Sequence, residues 1–507
     1  MRERDEAMFE VPLIIRGEVI DQYTVKHADR SGAGNSFVTP DIRRYVDELV
    51  LRDPRQLEDL YTVSLDGIYD FLEELGVRLD LDRNPHWRQA FEVSCRTSNL
   101  SRPVLEHIYR TCPSEFRREI VSEVVETRIG SQYLEGWAPK QLCTGREIRV
   151  RAMGARSIHI IAGNIPIVAT LTAMRSAITR NDAIIKLPSN DPLTAVAIAR
   201  TMIEMAPDHP ITRHFSVGYW KGGDAEVESK IYHPANIEKL VAWGGFASIK
   251  HIAKYLQPGI DLITLDPKNS TTLIGHEAFA DETTMREVAR RAAADMGSLD
   301  QEACSNARVM FVESGTDSVG VERANRLGAM IFEELHRLPP ETSSGPNRFD
   351  ATLLGEIESI LDMDGFYRIY ADPRRIPRSG AVIVSQMGEQ VDFAQLLYGR
   401  VGNLVPVDDI EHCLSYFTTA TQTVGIFPES LKLKLRGRAV LAGAQMIVPL
   451  GYATTASLAA PQDGIEPERR MCRWVVENVC DPAVVPGPWM HESPILTPES
   501  LEIVPSP

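Results

Sequence analysis

The spacing of apolar side chains changes character once along this chain, near Glu147. Before it, a strand-like patch at residues 11–15 gives way to segments with apolar positions at helical intervals, at 45–50, 57–75 and 117–133. Three- and four-residue spacing stacks side chains on one face of a helix. After it, short runs rich in Ile, Val and Ala alternate with helical stretches. Strands are expected at 148–151 and 157–162, then a Gly-Asn-Ile-Pro turn, a helix from about Val168 and a strand at 183–187. A helix at 193–205, a strand at 214–219, a helix at 225–232 and a strand at 239–242 follow. Such alternation predicts a parallel, doubly wound sheet, which takes ligands at the carboxyl ends of its strands. A second series spans 269–438, with strands at 271–274, 309–312, 367–370 and 381–384 and helices at 282–296 and 318–338. The fold class is therefore α/β. The Pro- and Ser-rich stretch 338–347 is expected to be a surface loop inside the second unit, and 482–507 an extended arm or a disordered tail.

Composition supplies exclusions. The length suits two or three domains, and 43% hydrophobic with 24% charged residues is the balance of a soluble globular protein. A formal charge of −16 argues against the broad basic surface that nucleic acid requires. The most apolar long stretch, 157–179, is interrupted by Asn164, Pro166 and Arg175, which suits a buried strand and helix and not a membrane span. The first twenty residues carry acids early and lack a long apolar core, so they do not form a signal peptide. Seven cysteines at 95, 112, 143, 304, 413, 472 and 480 form neither a disulfide framework nor a zinc pattern. The twelve histidines show no paired-ligand spacing. The expectation is a cytoplasmic protein with reduced thiols, no metal, no nucleic acid and no membrane partner.

One cysteine stands apart. In Asp300-Gln301-Glu302-Ala303-Cys304-Ser305-Asn306-Ala307 a thiol sits among small residues and leads into an apolar β-forming run. A thiolate at the mouth of a strand could attack a carbonyl carbon, although a cysteine beside a strand is more often plain packing. Other segments raise the catalytic reading. Ile185-Lys186-Leu187-Pro188-Ser189-Asn190-Asp191-Pro192 resembles the cofactor-ribose segment of the aldehyde dehydrogenase superfamily. Asn164, in Ala162-Gly163-Asn164-Ile165-Pro166, resembles the asparagine that helps hold the substrate oxygen. Trp243-Gly244-Gly245-Phe246 resembles the glycine turn that lets a pyrophosphate approach the start of a helix, and Cys304 the nucleophile. Tyr398-Gly399-Arg400-Val401-Gly402-Asn403 opens a stretch similar to the superfamily's late strand and turn.

The resemblance covers roughly residues 145–455 and implies an aldehyde-dehydrogenase-like fold. Residues 1–145 would be a helical region packing on the cofactor domain, and 146–268 a Rossmann-type NAD(P) domain. Residues 269–438 would form the catalytic domain with the nucleophilic cysteine, and 439–507 a return segment for oligomerisation with a Pro-rich tail. It makes Cys304 and Asn164 the catalytic residues. Gly163, Pro166, Lys186, Ser189, Trp243, Gly244 and Gly245 would bind the cofactor. A homo-oligomer is expected.

The departures narrow the reading. The superfamily's hydrolytic members carry a glutamate base in a Leu-Glu-Leu-Gly-Gly-Lys segment, where this chain has Leu265-Asp266-Pro267-Lys268-Asn269-Ser270. An enzyme that starts from a thioester gains nothing from a water-activating base, because hydrolysis would destroy its intermediate. With Gln422-Thr423-Val424-Gly425-Ile426 and Asp463-Gly464-Ile465, the pattern resembles the acyl-CoA reductase (LuxC-like) family. That resemblance implies reduction of an acyl thioester, delivered as acyl-CoA or by an acyl-transferring partner protein, to an aldehyde. Where NAD-using members place a ribose-binding glutamate this chain has Ser189, which would not repel a 2′-phosphate, so NADPH is favoured over NADH. An ordinary NAD(P)-dependent aldehyde dehydrogenase and a non-catalytic assembly subunit are the alternatives. Gln301 and Glu302 suit hydrogen-bonded supporting groups at least as well as a direct role.

Overall fold

The computed structural model describes residues 8–28, 36–372, 374–455, 457–485 and 487–490. Two seven-stranded sheets dominate it. The first contains β1 (Leu13–Ile15), β2 (Glu18–Ile20), β3 (Arg156–Ile160), β4 (Asp182–Lys186), β5 (Phe215–Gly218), β6 (Lys239–Trp243) and β7 (Asp261–Leu265), in the order β7-β6-β3-β4-β5-β1-β2. The five strands β7-β6-β3-β4-β5 are parallel, and the hairpin β1-β2 adds antiparallel to β5. The chain builds outward from β3 through β4 to β5, then returns to the other side of β3 for β6 and β7. The order therefore reverses beside β3, which opens a crevice beyond the carboxyl ends of β3 and β6.

The second sheet contains β8 (Asn269–Ile274), β9 (Ala307–Val312), β10 (Tyr367–Ala371), β11 (Ala381–Ser385), β12 (Val401–Pro406), β13 (Thr421–Phe427) and β14 (Met446–Pro449), in the order β10-β11-β12-β9-β8-β13-β14. All its pairs are parallel except β10 with β11.

The helices follow from their apolar spacing. In α1 (Leu65–Arg78), Ile68, Leu72 and Leu75 are buried on one face, and Ser64 caps the amino end by accepting from the Gly67 amide. They pack with Trp87 and Phe91 of α2 (Pro85–Thr97) in one core that reaches the first sheet. Helix α3 (Ile167–Ile178), which leaves the Gly-Asn-Ile-Pro turn, is buried almost all round, as its lack of a polar face requires. Helix α4 (Thr194–Met205) follows β4, and α5 (Phe246–Ile252) follows the Trp243-Gly244-Gly245 turn. In the second unit, α6 (Glu282–Gly297) leads toward Cys304 and α7 (Ser318–Leu335) packs on α6.

Several elements depart from the sequence expectation. The strand-like patch expected at 11–15 is present as β1, whereas β2 and the small sheet of Met8–Glu10, Val25–Ala28 and Ser36–Thr39 had no counterpart in the expected order. The strand expected at 148–151 exists as Glu147–Met153 but joins neither large sheet. It lies between Ala138–Gln141 and Arg473–Val479, both antiparallel. Its alternation of Glu147, Arg149 and Arg151 with Ile148, Val150 and Ala152 suits a strand with one wet face, not the buried centre of a parallel sheet. Strand β7 had no counterpart in the expected order, and α5 was implied only by the resemblance of the turn before it. The stretch 338–347 is a loop, yet Ser343 and Gly345 are buried under the turn that precedes Cys304. Of the proline-rich end, 491–507 lie outside the described residues. Among the described residues no helix is long and apolar enough to cross a membrane.

Candidate active site

Cys304 lies between the end of α6 and the start of β9, on a segment held from every side. Leu299, Asp300 and Gln301 all have positive φ, at 55°, 50° and 67°, an uncommon run for side-chain-bearing residues that surrounding contacts must impose. The contacts are explicit. One oxygen of the Asp300 carboxylate accepts from the amides of Ser344 and Gly345, both at 2.8 Å, and the other from Ser101 at 2.8 Å. The Gln301 amide donates to the carbonyls of Ala307 and Val401 at 2.9 Å and accepts from the Val401 amide at 2.8 Å. Ser270 Oγ donates to the Cys304 carbonyl at 2.7 Å and accepts from the Thr423 amide. Gln301 thus joins the Cys304 loop to β12, and Ser270 joins it to β8 and β13.

Two cavities meet beside this loop. An apolar one of about 560 Å³ is lined by Cys304, Asn164, Ile165, Val168, Leu171, Leu265 and Met446, among others. A polar one of about 570 Å³ lies at the crevice of the first sheet and is lined by Lys186, Ser189, Tyr219, Ser248, Asn99 and Glu302, among others. Ala162, Gly163, Asn190, Trp243, Gly244 and Gly245 line both. The turns after β3 and β6 are therefore the wall between them.

Eight of the nine site residues named from sequence line one or both cavities. Pro166 lines neither; it is buried at the start of α3, where its fixed φ opens the helix. Gly163 has a steric reason: a Cβ there would stand 2.3 Å from Asn190 Oδ1 and 2.8 Å from Pro188 Cγ. Gly245 is the opposite case. A Cβ there would meet nothing within 4 Å, so the bare backbone leaves room for a ligand at the amino end of α5. The Lys186 ammonium stands 5.9 Å above the Tyr219 ring and 5.5 Å from that of Trp220. Asp191, in the same segment, does not line the polar cavity. It is buried and accepts from Ser94 and Thr194, and burial pushes its carboxyl up to about 6.

The Cys304 thiol is pushed above its ordinary range by burial, with a smaller upward push from the Asp463 charge; the Lys268 backbone N–H and Arg308 pull it down. Asn164 Nδ2 gives one of its two N–H groups to the Glu302 carbonyl at 3.1 Å, which leaves the second for another acceptor. The Glu302 side chain turns into the polar cavity and accepts from Asn99 Nδ2 at 2.8 Å, and burial raises its pKa. Asn99, Arg348, Asp350, Arg175, Gln445 and Gln462 also line the site. Sequence reasoning passed them over because each comes from a segment with no motif of its own. Gln422 and Asp463 lay in segments noted only for their resemblance. Among the described residues no three His, Cys, Asp or Glu are grouped to hold a metal.

The thiol, in an apolar cavity that shares a wall with a polar one at the junction of two α/β sheets, sits in a chain with the aldehyde dehydrogenase fold. Lactaldehyde dehydrogenase from Escherichia coli superposes with a TM-score of 0.70 at 13% identity, covering 93% of this chain and 100% of the other. An NADP-dependent glyceraldehyde-3-phosphate dehydrogenase from Bacillus halodurans, solved with NADP, gives 0.67 at 12% identity, covering 93% and 100%. Sequence comparison is more specific. The long-chain acyl-protein thioester reductase of Photorhabdus luminescens is 30% identical over 358 residues, 70% of this chain and 69% of that one. That of Aliivibrio fischeri is 25% identical over 477 residues, 92% of each. The family model described as acyl-CoA reductase (LuxC) matches residues 60–474, and the chain belongs to that family.

Proposed function

We propose that the chain reduces an acyl thioester to an aldehyde through an acyl-enzyme on Cys304, with NADPH as the reductant and an acyl-carrying protein or coenzyme A as the thiol released. The family makes it an oxidoreductase acting on acyl groups with a nicotinamide cofactor. The observation that carries the finer reading is the pairing of cavities: the half-buried Cys304 thiol lines the apolar one, which shares Ala162, Gly163, Asn190 and the Trp243-Gly244-Gly245 turn with the polar crevice at the strand-order reversal.

The residues of the polar cavity fit a nicotinamide dinucleotide. Its position obeys the rule for open α/β sheets, the missing side chain at Gly245 leaves room for close backbone approach, and Lys186 supplies a cation. Ser189 is neutral where a carboxylate would repel a 2′-phosphate, which supports NADPH. When bound, the cofactor supplies the hydride. The chain does the rest. Cys304, as thiolate, attacks the thioester carbonyl; the Asn164 amide and the Cys304 backbone N–H hold the oxyanion. Each donor in such a site is worth roughly 3–4 kcal/mol. Collapse releases the carrier thiol and leaves an acyl-Cys304 thioester, still electrophilic. After reduction, the second tetrahedral species expels the Cys304 thiolate and frees the aldehyde. Among the described residues, the carboxylates lining the apolar cavity are Asp266 and Asp463, and no glutamate lines it.

The printed name of the curated relatives speaks for acyl groups delivered on a protein, and the apolar cavity suits an aliphatic chain. The sheet Ala138–Gln141, Glu147–Met153 and Arg473–Val479, with Val476 exposed, is our candidate for the homo-oligomer contact. The test is to mix the protein with NADPH and a panel of acyl-CoAs and acyl-carrying proteins, and to follow reduced-cofactor absorbance and aldehyde. Aldehyde formed in step with cofactor oxidation is expected. Oxidation of aldehyde to free acid without any thiol, faster than thioester reduction, would replace this reading with that of a hydrolytic dehydrogenase.

A further inference from the structure

Burial leaves the Cys304 thiol protonated near neutrality, so its proton must go somewhere before it can attack. The carrier thiol, an alkyl thiolate as it leaves, must gain one. The cavity wall holds two carboxylates besides the thiol. Asp266 ends the run from β7 and is followed by Pro267, which restricts its backbone. Asp463 comes from the carboxyl-terminal segment, on a turn closed by the isolated pairing of Gln462 with Ile465.

That turn is braced to present Asp463. The residue has φ 52°, in the left-handed region. Gln422 Nε2 donates to one oxygen of its carboxylate at 2.5 Å. Arg175 Nη2 donates to Gln462 Oε1 at 2.8 Å, while Arg175 Nε pairs with Glu468 at 2.6 Å, both ions buried. A buried ion pair is weak support for stability as such, but it anchors a polar turn in a wall that is otherwise mostly apolar. Burial raises the Asp463 carboxyl and the Asp266 charge adds to it, against the Gln422 hydrogen bond and the Lys268 and Arg175 charges, which pull it down. The group thus holds a proton closer to neutral pH than a free aspartate does, as an acid–base catalyst requires.

We propose that Asp463 is the proton carrier of the acyl-transfer half-reaction, taking the Cys304 proton as the thiolate forms and returning it to the carrier sulfur as that leaves. This rests on Cys304 being the acylated residue. The step balances: the S–H bond of Cys304 breaks as the Asp463 O–H forms, the Cys304 sulfur–acyl bond replaces the carrier sulfur–acyl bond, and the Asp463 proton ends on the carrier thiol. No electrons change hands. The later hydride step expels the Cys304 thiolate, and the one proton that the overall reduction consumes returns that sulfur to its thiol form.

The test separates proton transfer from charge and from structure. Full-length wild type, Asp463→Asn, Asp463→Glu and Asp266→Asn are mixed, without NADPH, with tetradecanoyl-CoA or with the thiophenyl ester of the same acid. Acyl mass on the Cys304 peptide is timed, and iodoacetamide alkylation of Cys304 is timed separately. An arylthiolate departs without a proton, so Asp463→Asn should slow acylation by the CoA ester about 10²-fold and by the aryl ester far less. Because the Asp463 charge raises the thiol pKa, removing it should leave alkylation unslowed or faster. Asp463→Glu should recover part of the lost rate, and Asp266→Asn should change little. Equal losses with both esters, alkylation slowed in proportion, an undiminished CoA reaction in Asp463→Asn, or the selective defect appearing in Asp266→Asn would each overturn the proposal. If wild type gains no acyl mass on Cys304 from either ester, the acyl-enzyme reading itself falls.

Discussion

The two cavities are nearly equal in volume, about 570 and 560 Å³, and opposite in construction. The polar one takes most of its wall from turns that follow consecutive strands of one sheet, after β3, β4 and β6. The apolar one is assembled from separate stretches of both sheets and from the segment between β14 and the strand Arg473–Val479. The first is therefore a property of a local strand–turn–helix pattern, repeated. The second exists only once distant parts of the chain have packed. The dividing wall, Ala162, Gly163, Trp243, Gly244 and Gly245, belongs to the local pattern, so the polar side sets where the apolar side can begin.

Cys304→Ala removes the group at the junction and should abolish reduction altogether while leaving NADPH binding near wild type. Cofactor titration by fluorescence and acyl mass on the Cys304 peptide check it; acyl label on another cysteine would remove Cys304 from the mechanism. Asn164→Ala strikes the apolar side's amide and should lower kcat about 10²–10³-fold, with a small change in thermal midpoint. A variant with near-normal turnover would leave Asn164 as the brace for the Glu302 carbonyl alone.

The two wall glycines should respond differently to one methyl group. Gly163→Ala collides with Asn190 and Pro188 and should lower the thermal midpoint and activity together. Gly245→Ala meets no protein atom, so stability should hold while KM for NADPH rises about tenfold, equivalent to about 1.4 kcal/mol. If both variants lose stability alike, the open space at Gly245 is not a ligand site. The smallest effect is expected at Ser189→Glu, which should reverse or erase the preference for NADPH measured as kcat/KM against NADH. Equal values for both cofactors in wild type would refute the argument from Ser189.

Much of this was legible in the residues. The alternation from Ser157 to Ala242 gave β3 to β6 in order, because strands buried on both faces cannot hide their apolar runs. The Gly163, Asn164, Lys186, Ser189 and Gly245 positions followed from short motifs whose chemistry is local. Less was legible where burial and pattern disagree. The strand Glu147–Met153 reads as part of a series by position, but its wet face sends it to a side sheet. The stretch 338–347 reads as a surface loop by composition and is largely exposed, but Ser343, Gly345 and Pro346 are buried, because the Ser344 and Gly345 amides donate to the Asp300 carboxylate. Nothing in sequence linked Arg175 to Gln462 and Glu468, nearly three hundred positions away.

By itself the sequence determined the α/β class, the polar crevice and the identity of the candidate nucleophile, since periodicity and short motifs act over a few residues. The tertiary structure alone decided the environment of that nucleophile. The left-handed run before Cys304, the Lys268 amide at its sulfur, the Glu302 carbonyl that accepts from Asn164 and the turn that brings Asp463 into the wall all depend on contacts between segments remote in the chain. Burial and neighbouring charge set how readily a thiol ionises, and both are fixed only when those segments meet.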